Sequence, residues 1–433
     1  MSQSKVESAV SAWLAQYPPP NRFLVAFSGG MDSVVLLDAL SRVLPPNRLR
    51  AVYIHHGLQP EASDWQDFTA DFCRTRGIEY QSVAVQVATA KRQGLEALAR
   101  AARYQALYEC LDAQTILLTA HHLRDQAETF LLNALRGCGL SGLAAMPSEK
   151  TVRFQGRVHL HARPLLDVPY SALQFYAHQH RLTWVADPSN SDPSFRRNFI
   201  RHRVWPHIDQ AWPKAEKTLG QTIEHLSESV CLLDALAKQD LDGAVMNAYQ
   251  LSLEGVSRLG ALRVKNALRY WAREVALNVR LNETVYAWVL QCLQHSNPES
   301  HPRLKQAGME YRWHRNQLYA FSEAMLRVIA DADYRVVGAD FQAQNYYFSH
   351  RLYQGTESDQ AWLNARLSSD GAWVRAMKPE DVQRLGLKSR LKKWFQRQGV
   401  PPWDRRRWPL LEKDGEIIAV LGGVEADLSH RTE

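Results

Sequence analysis

Six consecutive residues, Ser28-Gly29-Gly30-Met31-Asp32-Ser33, combine two glycines, two hydroxyls and one carboxylate. That set suits a phosphate chain. Glycines let backbone N–H groups approach an anion closely, serine hydroxyls add donors, and Asp32 could carry a divalent cation on the phosphates. The lysine of a G-x-x-x-x-G-K-[ST] loop is missing and the spacing is not G-x-G-x-x-G, which disfavours a Walker A loop and dinucleotide binding. The competing reading is a glycine turn with Asp32 at a helix start. A chance match to five specified positions is on the order of one in a million per starting position, so the pattern favours a pyrophosphate site.

Such a loop works only between a strand and a helix, with the helix's unpaired N–H groups and positive dipole end aimed at the anion. The flanking sequence supplies both: a short apolar strand over 22–27 and a helix over 31–44. The alternation continues, with strands predicted over 50–55, 80–87 and 115–120 and helices over 63–76, 94–111 and 125–136. Successive βα units predict an α/β fold with a doubly wound, mostly parallel sheet over 1–213. The loop falls at the C-terminal end of a strand, where open α/β sheets bind ligands. Leucine- and alanine-rich sequence with helical periodicity predicts a helical middle domain over 214–330. Short strands over 317–321, 335–337 and 416–421 and renewed aromatics predict a small α+β domain over 331–433.

The chain has 433 residues and a formal charge of +7, with 45% hydrophobic and 22% charged residues. This composition builds cores and excludes wholesale disorder. No stretch approaches the ~20 apolar residues that span a bilayer, and no signal peptide is evident. Five scattered cysteines without a C-x-x-C pair fit a reducing cytoplasm. Between Arg375 and Trp408 there are eleven basic and three acidic side chains, a net of +8 that leaves −1 for the remainder. A polyanionic partner is expected at that end.

Further segments stand out: Ile54-His55-His56-Gly57-Leu58, Ala120-His121-His122-Leu123-Arg124-Asp125-Gln126-Ala127-Glu128-Thr129, Asp187-Pro188-Ser189-Asn190 and Phe195-Arg196-Arg197-Asn198-Phe199-Ile200-Arg201. With Ser28–Ser33 they resemble the ATP pyrophosphatases of the PP-loop superfamily, whose domain is adenine-nucleotide alpha-hydrolase-like, and among them the bacterial tRNA(Ile)-lysidine synthetases. The tryptophan-rich basic tail is similar to that family's C-terminal domain. The resemblance implies that C2 of the wobble cytidine of an isoleucine tRNA is activated with ATP. Free L-lysine then attacks through its ε-amine, releasing AMP and giving lysidine. It implies ATP and Mg²⁺ as cofactors and the anticodon stem-loop as partner.

By the same resemblance Ser28, Gly29, Gly30, Met31, Asp32, Ser33 and His56 are expected to bind ATP, with Asp32 also holding Mg²⁺. Asp32, Asp125 and Glu128 are expected to be catalytic. On the predicted helix Ala127, Phe130, Leu131 and Ala134 would be buried while Asp125, Glu128 and Thr129 share the opposite face. Those carboxylates could bind Mg²⁺, grip the lysine ammonium or act as base toward it, or simply complement the helix dipole. Arg196, Arg197, Arg201, Lys392, Lys393, Arg397, Arg405, Arg406 and Arg407, interleaved with aromatics, are expected to bind tRNA. Arg100 and Arg103 could reach a phosphate or a base, or form a solvated face. A tRNA thiolase, an amidating synthetase and a non-catalytic RNA-binding protein remain the alternatives; the sequence lacks a close cysteine pair for sulfur transfer.

Overall fold

In a computed structural model, residues 4–19, 21–55, 62–85, 92–155, 157–188, 192–247, 249–275, 279, 281–295, 300–323, 326, 335–336, 372–384, 388–397, 400–405, 408–420 and 424–425 are described. They fall into two compact units, Met1–Leu232 and Leu233–Glu433. His56, Ser189, Asn190, Arg406 and Arg407 lie outside the described residues, so nothing is assigned to them below.

The first unit holds a six-stranded sheet. Its strands are β1 (Arg22–Ala26), β2 (Leu49–His55), β3 (Glu79–Ala84), β4 (Thr115–Leu118), β5 (Glu149–Phe154) and β6 (Arg157–Ala162), in the order β3-β2-β1-β4-β6-β5. Only β5 runs antiparallel, pairing with β6. Parallel strands covered on both faces are apolar throughout rather than alternating. Accordingly Phe23, Leu24, Val25 and Ala26 are all buried, as is every residue of β4. The helix α2 (Met31–Ser41) follows β1 and is apolar all round, with Val34 to Leu37, Ala39 and Leu40 buried; such a helix belongs inside the core. The sheet order puts β4 beside β1 after the chain has run outward through β2 and β3. The strand order therefore reverses between β1 and β4, opening a crevice at their C-terminal ends.

Two elements went unread in the sequence. The helix α1 (Lys5–Leu14) is closed by a capping box: Glu7 N–H donates to Ser4 Oγ at 3.2 Å and Ser4 N–H to Glu7 Oε2 at 2.8 Å. The S-x-x-E signature announces it. The β5–β6 hairpin turns through Gln155 at φ 47°.

One anchor beneath the crevice is polar. Asp38, 1% exposed, accepts from Arg42 Nε at 2.7 Å, Arg76 Nη2 at 3.0 Å and Tyr176 Oη at 2.9 Å. Burial opposes its ionisation, but Arg42 and Tyr176 outweigh that and hold the carboxyl below its ordinary range.

The second unit differs from the helical expectation. The helices are there: α10 (Ala215–Asp240), which begins in the first unit, then α11 (Ala261–Glu274) and α12 (Glu283–His295). Helices α11 and α12 share a core with a five-stranded sheet ordered β7-β8-β11-β10-β9. Its strands are β7 (Val245–Asn247), β8 (Gln250–Ser252), β9 (Arg303–Gln306), β10 (Met309–His314) and β11 (Gln317–Ser322). β7 and β8 are three residues each, too short to show a period of two. A second five-stranded sheet, built by Arg335–Val336, Ala372–Ala376, Pro409–Lys413, Glu416–Val420 and Val424–Glu425, has its own cluster around Leu391, Phe395, Trp408 and Leu410. The expected boundary at 213 falls within the first unit because Ala215 packs with Ala127 and Trp205. Among the described residues no helix is long and apolar enough to cross a membrane.

Asp38→Asn is expected to lower unfolding free energy at neutral pH by about 1–3 kcal/mol. A carboxyl depressed in the fold stabilises above its unfolded pKa of about 3.9 and loses that contribution as pH falls. The variant's stability deficit, measured by denaturant titration, should therefore shrink below pH 4.

Candidate active site

Two loops meet at the crevice. The first follows β1. Gly29 takes φ +79°, a conformation that favours glycine, and a Cβ there would lie 3.1 Å from the Thr69 methyl group. Its carbonyl accepts from Val185 N–H at 2.9 Å, which pins the turn. Gly30 is the N-cap of α2, so Met31, Asp32 and Ser33 begin a helix whose first N–H groups lack helical acceptors. Ser28 Oγ and Ser33 Oγ lie 3.2 Å apart, and Ser33 Oγ donates to the Gly30 carbonyl at 2.9 Å. Thus Ser28 to Ser33 form one strand–turn–helix cradle.

The second loop follows β4 and leads into α5 (Leu123–Leu135) with His122 as N-cap. Asp125 Oδ2 accepts from the His122 N–H at 3.1 Å, the same carboxylate that meets its side chain. His122, 1% exposed, places Nε2 3.5 Å from Asp125 Oδ2 and 3.6 Å from Asp32 Oδ2. Its ring lies 5.0 Å from that of Tyr170. Burial alone would discourage a charge on this imidazole, but Asp125 and Asp32 together raise its pKa. One histidine thus links the phosphate loop to the second constellation.

α5 does not present its acids to solvent. Ala127 is buried as expected, yet Asp125, Gln126 and Glu128 are buried as well, Glu128 fully, and Ala134 is exposed. The reason is a pair of guanidiniums. Arg197, on the short helix Arg196–Phe199, donates Nε to Glu128 Oε2 at 3.0 Å and Nη2 to Asp125 Oδ1 at 2.9 Å. Arg201, on the π-helical turn Ile200–Val204, donates Nε to Glu128 Oε1 at 2.7 Å and Nη2 to Asp125 Oδ1 at 2.9 Å. Its Nη2 also reaches Glu128 Oε2 at 2.9 Å. Burial would raise the Asp125 carboxyl, but His122 and Arg197 hold it well below the ordinary range.

The structure places these side chains in partnerships that a helical wheel does not show. Both Glu128 oxygens accept from the two guanidiniums, which are fixed on it. Arg197 and Arg201, expected on tRNA, are committed to these carboxylates, because charges this buried persist only when paired. Arg196, by contrast, is exposed. In the tail, Lys392, Lys393 and Arg397 are exposed, whereas Phe395 and Trp408 are core and cannot stack on bases. Arg405 is half-buried and donates Nε to the Val400 carbonyl at 2.9 Å.

The sequence also missed supporting residues. Arg124 pairs with Glu216 at 3.2 Å and lies over the rings of Tyr170 at 4.8 Å and Trp205 at 5.2 Å, bracing the loop against α10. Among the described residues no group of three or more His, Cys, Asp or Glu side chains is arranged to hold a metal ion. One feature does suit a cation shared with a ligand: Asp32 Oδ1 is buried without a hydrogen-bond partner.

A glycine cradle at a topological switch point, facing a carboxylate-bearing helix, defines a PP-loop protein, and residues 2–208 match the PP-loop domain family. Residues 375–431 match the TilS substrate C-terminal domain. The chain belongs to the tRNA(Ile)-lysidine synthase family. It is 43% identical to the tRNA(Ile)-lysidine synthase of Hydrogenovibrio crunogenus over 98% of each chain. It is 34% identical to that of Pseudomonas syringae pv. tomato over 96% of this chain and 93% of the relative, and 35% identical to that of Serratia proteamaculans over 95% and 94%.

Arg201→Met should cost about 3–5 kcal/mol of stability by stranding buried carboxylates. It should leave the salt dependence of RNA binding unchanged, since a guanidinium on a phosphate adds ~0.9 or less to that slope. Denaturation curves and filter binding at several salt concentrations check both.

Proposed function

We propose that this chain is an ATP-dependent ligase that joins lysine to C2 of the wobble cytidine of an isoleucine tRNA. The observation that carries the reading is the convergence, at one crevice of a family member, of a pyrophosphate cradle with a buried carboxylate site joined through His122.

The chemistry divides into two displacements. The C2 oxygen of cytidine attacks the α-phosphorus of ATP, and pyrophosphate leaves. The ε-amine of lysine then attacks C2, AMP leaves with that oxygen, and the amine loses its protons. Adenylylation is what makes the oxygen a leaving group, and holding both substrates in place supplies orientation.

The cradle residues Ser28 to Ser33 suit the departing pyrophosphate, with backbone and hydroxyl donors at the start of α2. Asp32, with its orphaned Oδ1, is the residue suited to Mg²⁺. That ion, when bound, would neutralise developing phosphate charge. Asp125 positions His122 beside the cradle, its two oxygens accepting from Arg197, Arg201 and the His122 N–H. Glu128, Arg197 and Arg201 fix Asp125 in place. Exposed Arg196, Lys392, Lys393 and Arg397 are cations suited to the tRNA backbone, and the anticodon stem-loop is the part that must reach the crevice. A three-part division, with the boundary in the second unit near 330, and a cytoplasmic location complete the proposal.

Incubation with ATP, labelled lysine and bulk tRNA is expected to give lysine-dependent label in tRNA with AMP released in equal amount. Asp32→Ala should abolish AMP formation while leaving tRNA affinity within a few-fold. Sulfur- or ammonia-dependent product, or no ATP turnover, contradicts the proposal.

A further inference from the structure

The β8-β11-β10 sheet of the second unit buries both of its faces. One face carries Tyr311, Trp313, Leu318 and Ala320 and packs with α11 and α12. Alternation along β10 and β11 sends Glu310, Arg312, His314, Tyr319 and Phe321 to the other. A face with a glutamate, an arginine and a histidine ordinarily meets water. Here Tyr319 and Phe321 are 1% exposed, His314 2% and Glu310 5%. Part of the cover is Trp403, on the short helix Pro402–Arg405. Its ring lies edge-on to Tyr319, His314 and His301, with centroids 5.3, 6.0 and 6.2 Å away. The Arg312 guanidinium stands 5.2 Å over the same ring and is itself held by Glu310 at 2.7 Å. His301 and His314 share a hydrogen bond between Nδ1 atoms 3.1 Å apart, so one ring must accept there. Burial and the guanidiniums of Arg405, Arg303 and Arg315 lower the His301 pKa, which suits that neutral pairing.

The turn that carries Trp403 is built into the C-terminal core. Arg405 Nε donates to the Val400 carbonyl at 2.9 Å, and Asp404 N–H to the Pro401 carbonyl at 3.0 Å. Val400 N–H donates in turn to the Phe395 carbonyl at 2.9 Å. Phe395 packs with Leu391 and Trp408, and Leu391 and Phe395 are the buried side of the helix Lys388–Arg397. Lys392, Lys393 and Arg397 are exposed on that same helix. A short hydrogen-bonded path therefore joins the seated indole to three cations in solvent.

We infer that Trp403 is a positioning residue for RNA binding. Seated among Tyr319, His314, His301 and Arg312, it fixes the orientation in which Lys392, Lys393 and Arg397 meet a phosphate backbone together. The inference rests on the proposed function for the identity of that polyanion as tRNA. Meeting several phosphates at once costs ordering, and a preformed array avoids that cost. A module freed from its seat stays tethered but engages at lower effective concentration. Trp403 Nε1 has no hydrogen-bond partner among the described residues. The ring is therefore held by aromatic and cation–π contacts, which a phenylalanine largely keeps.

The test uses the full-length protein and two readouts. Filter binding of isoleucine tRNA at several salt concentrations reads the grip. Diethyl pyrocarbonate labelling of His314, followed by peptide mass, reads the seat without RNA. Trp403→Ala is expected to raise tRNA Kd by about tenfold, flatten its salt dependence and leave lysine KM unchanged. In a background of Lys392→Ala, Lys393→Ala and Arg397→Ala, adding Trp403→Ala should change Kd by less than about twofold. Trp403→Phe should stay within about threefold of wild type, and His314 labelling should rise severalfold only in Trp403→Ala. His301→Ala, outside the strands and the C-terminal core, should raise tRNA Kd by about threefold and covers the case that Trp403→Ala misfolds. Unchanged His314 labelling or unchanged Kd would overturn the inference. So would a loss that adds fully to that of the triple variant, which would give Trp403 an RNA contact of its own. A wild type that binds no tRNA, with labelling raised as expected, would keep the seat and remove the tRNA reading instead.

Discussion

Two buried carboxylates hold two partly exposed guanidiniums, and the crevice depends on that arrangement. Asp125 and Glu128 sit at the start of α5, and Arg197 and Arg201 arrive from a segment about seventy residues later. Ions this buried cost several kcal/mol each to desolvate, and only good geometry with saturated hydrogen bonds offsets it. Every Glu128 oxygen is used, and Asp125 keeps one oxygen for the His122 backbone and ring. The knot therefore fixes where His122 points, and His122 in turn approaches Asp32 at the phosphate cradle.

Seen this way, charge in the first unit is sorted by burial. Cations that are paired are structural, holding acids in position. Among the described residues Arg100, Arg103 and Arg163 have no carboxylate partner. The backbone cradle at the start of α2 suits phosphates without a lysine, because helix N–H groups and glycine conformations supply the donors. The basic tail of the second unit is sorted likewise: Arg375 pairs with Asp381 at 2.6 Å and Phe395 and Trp408 build a core, while Lys392, Lys393 and Arg397 remain in solvent.

The sequence announced most of the first unit because its signals are local. Apolar runs such as Phe23 to Ala26 and the six-residue loop sit within one strand–turn–helix, so spacing alone places them. The ion-pair knot is not local. A helical wheel put Asp125 and Glu128 toward water because it cannot show a guanidinium supplied from Arg197 or Arg201. For the same reason those arginines read as RNA ligands. The sheet of the second unit escaped notice because β7 and β8 are too short for periodicity and β9 to β11 pair only in three dimensions. Arg163 gave no sequence signal; its orphaned Nε is visible only in the fold.

Glu128 and Arg201 act as one unit. A double-mutant cycle of Glu128→Gln, Arg201→Met and the combined variant, read as unfolding free energy, tests it most directly. Coupling of about 2–3 kcal/mol is expected, the double variant being little worse than either single one. Losses that add to within about 0.5 kcal/mol would show that the two side chains do not depend on each other and would contradict the account.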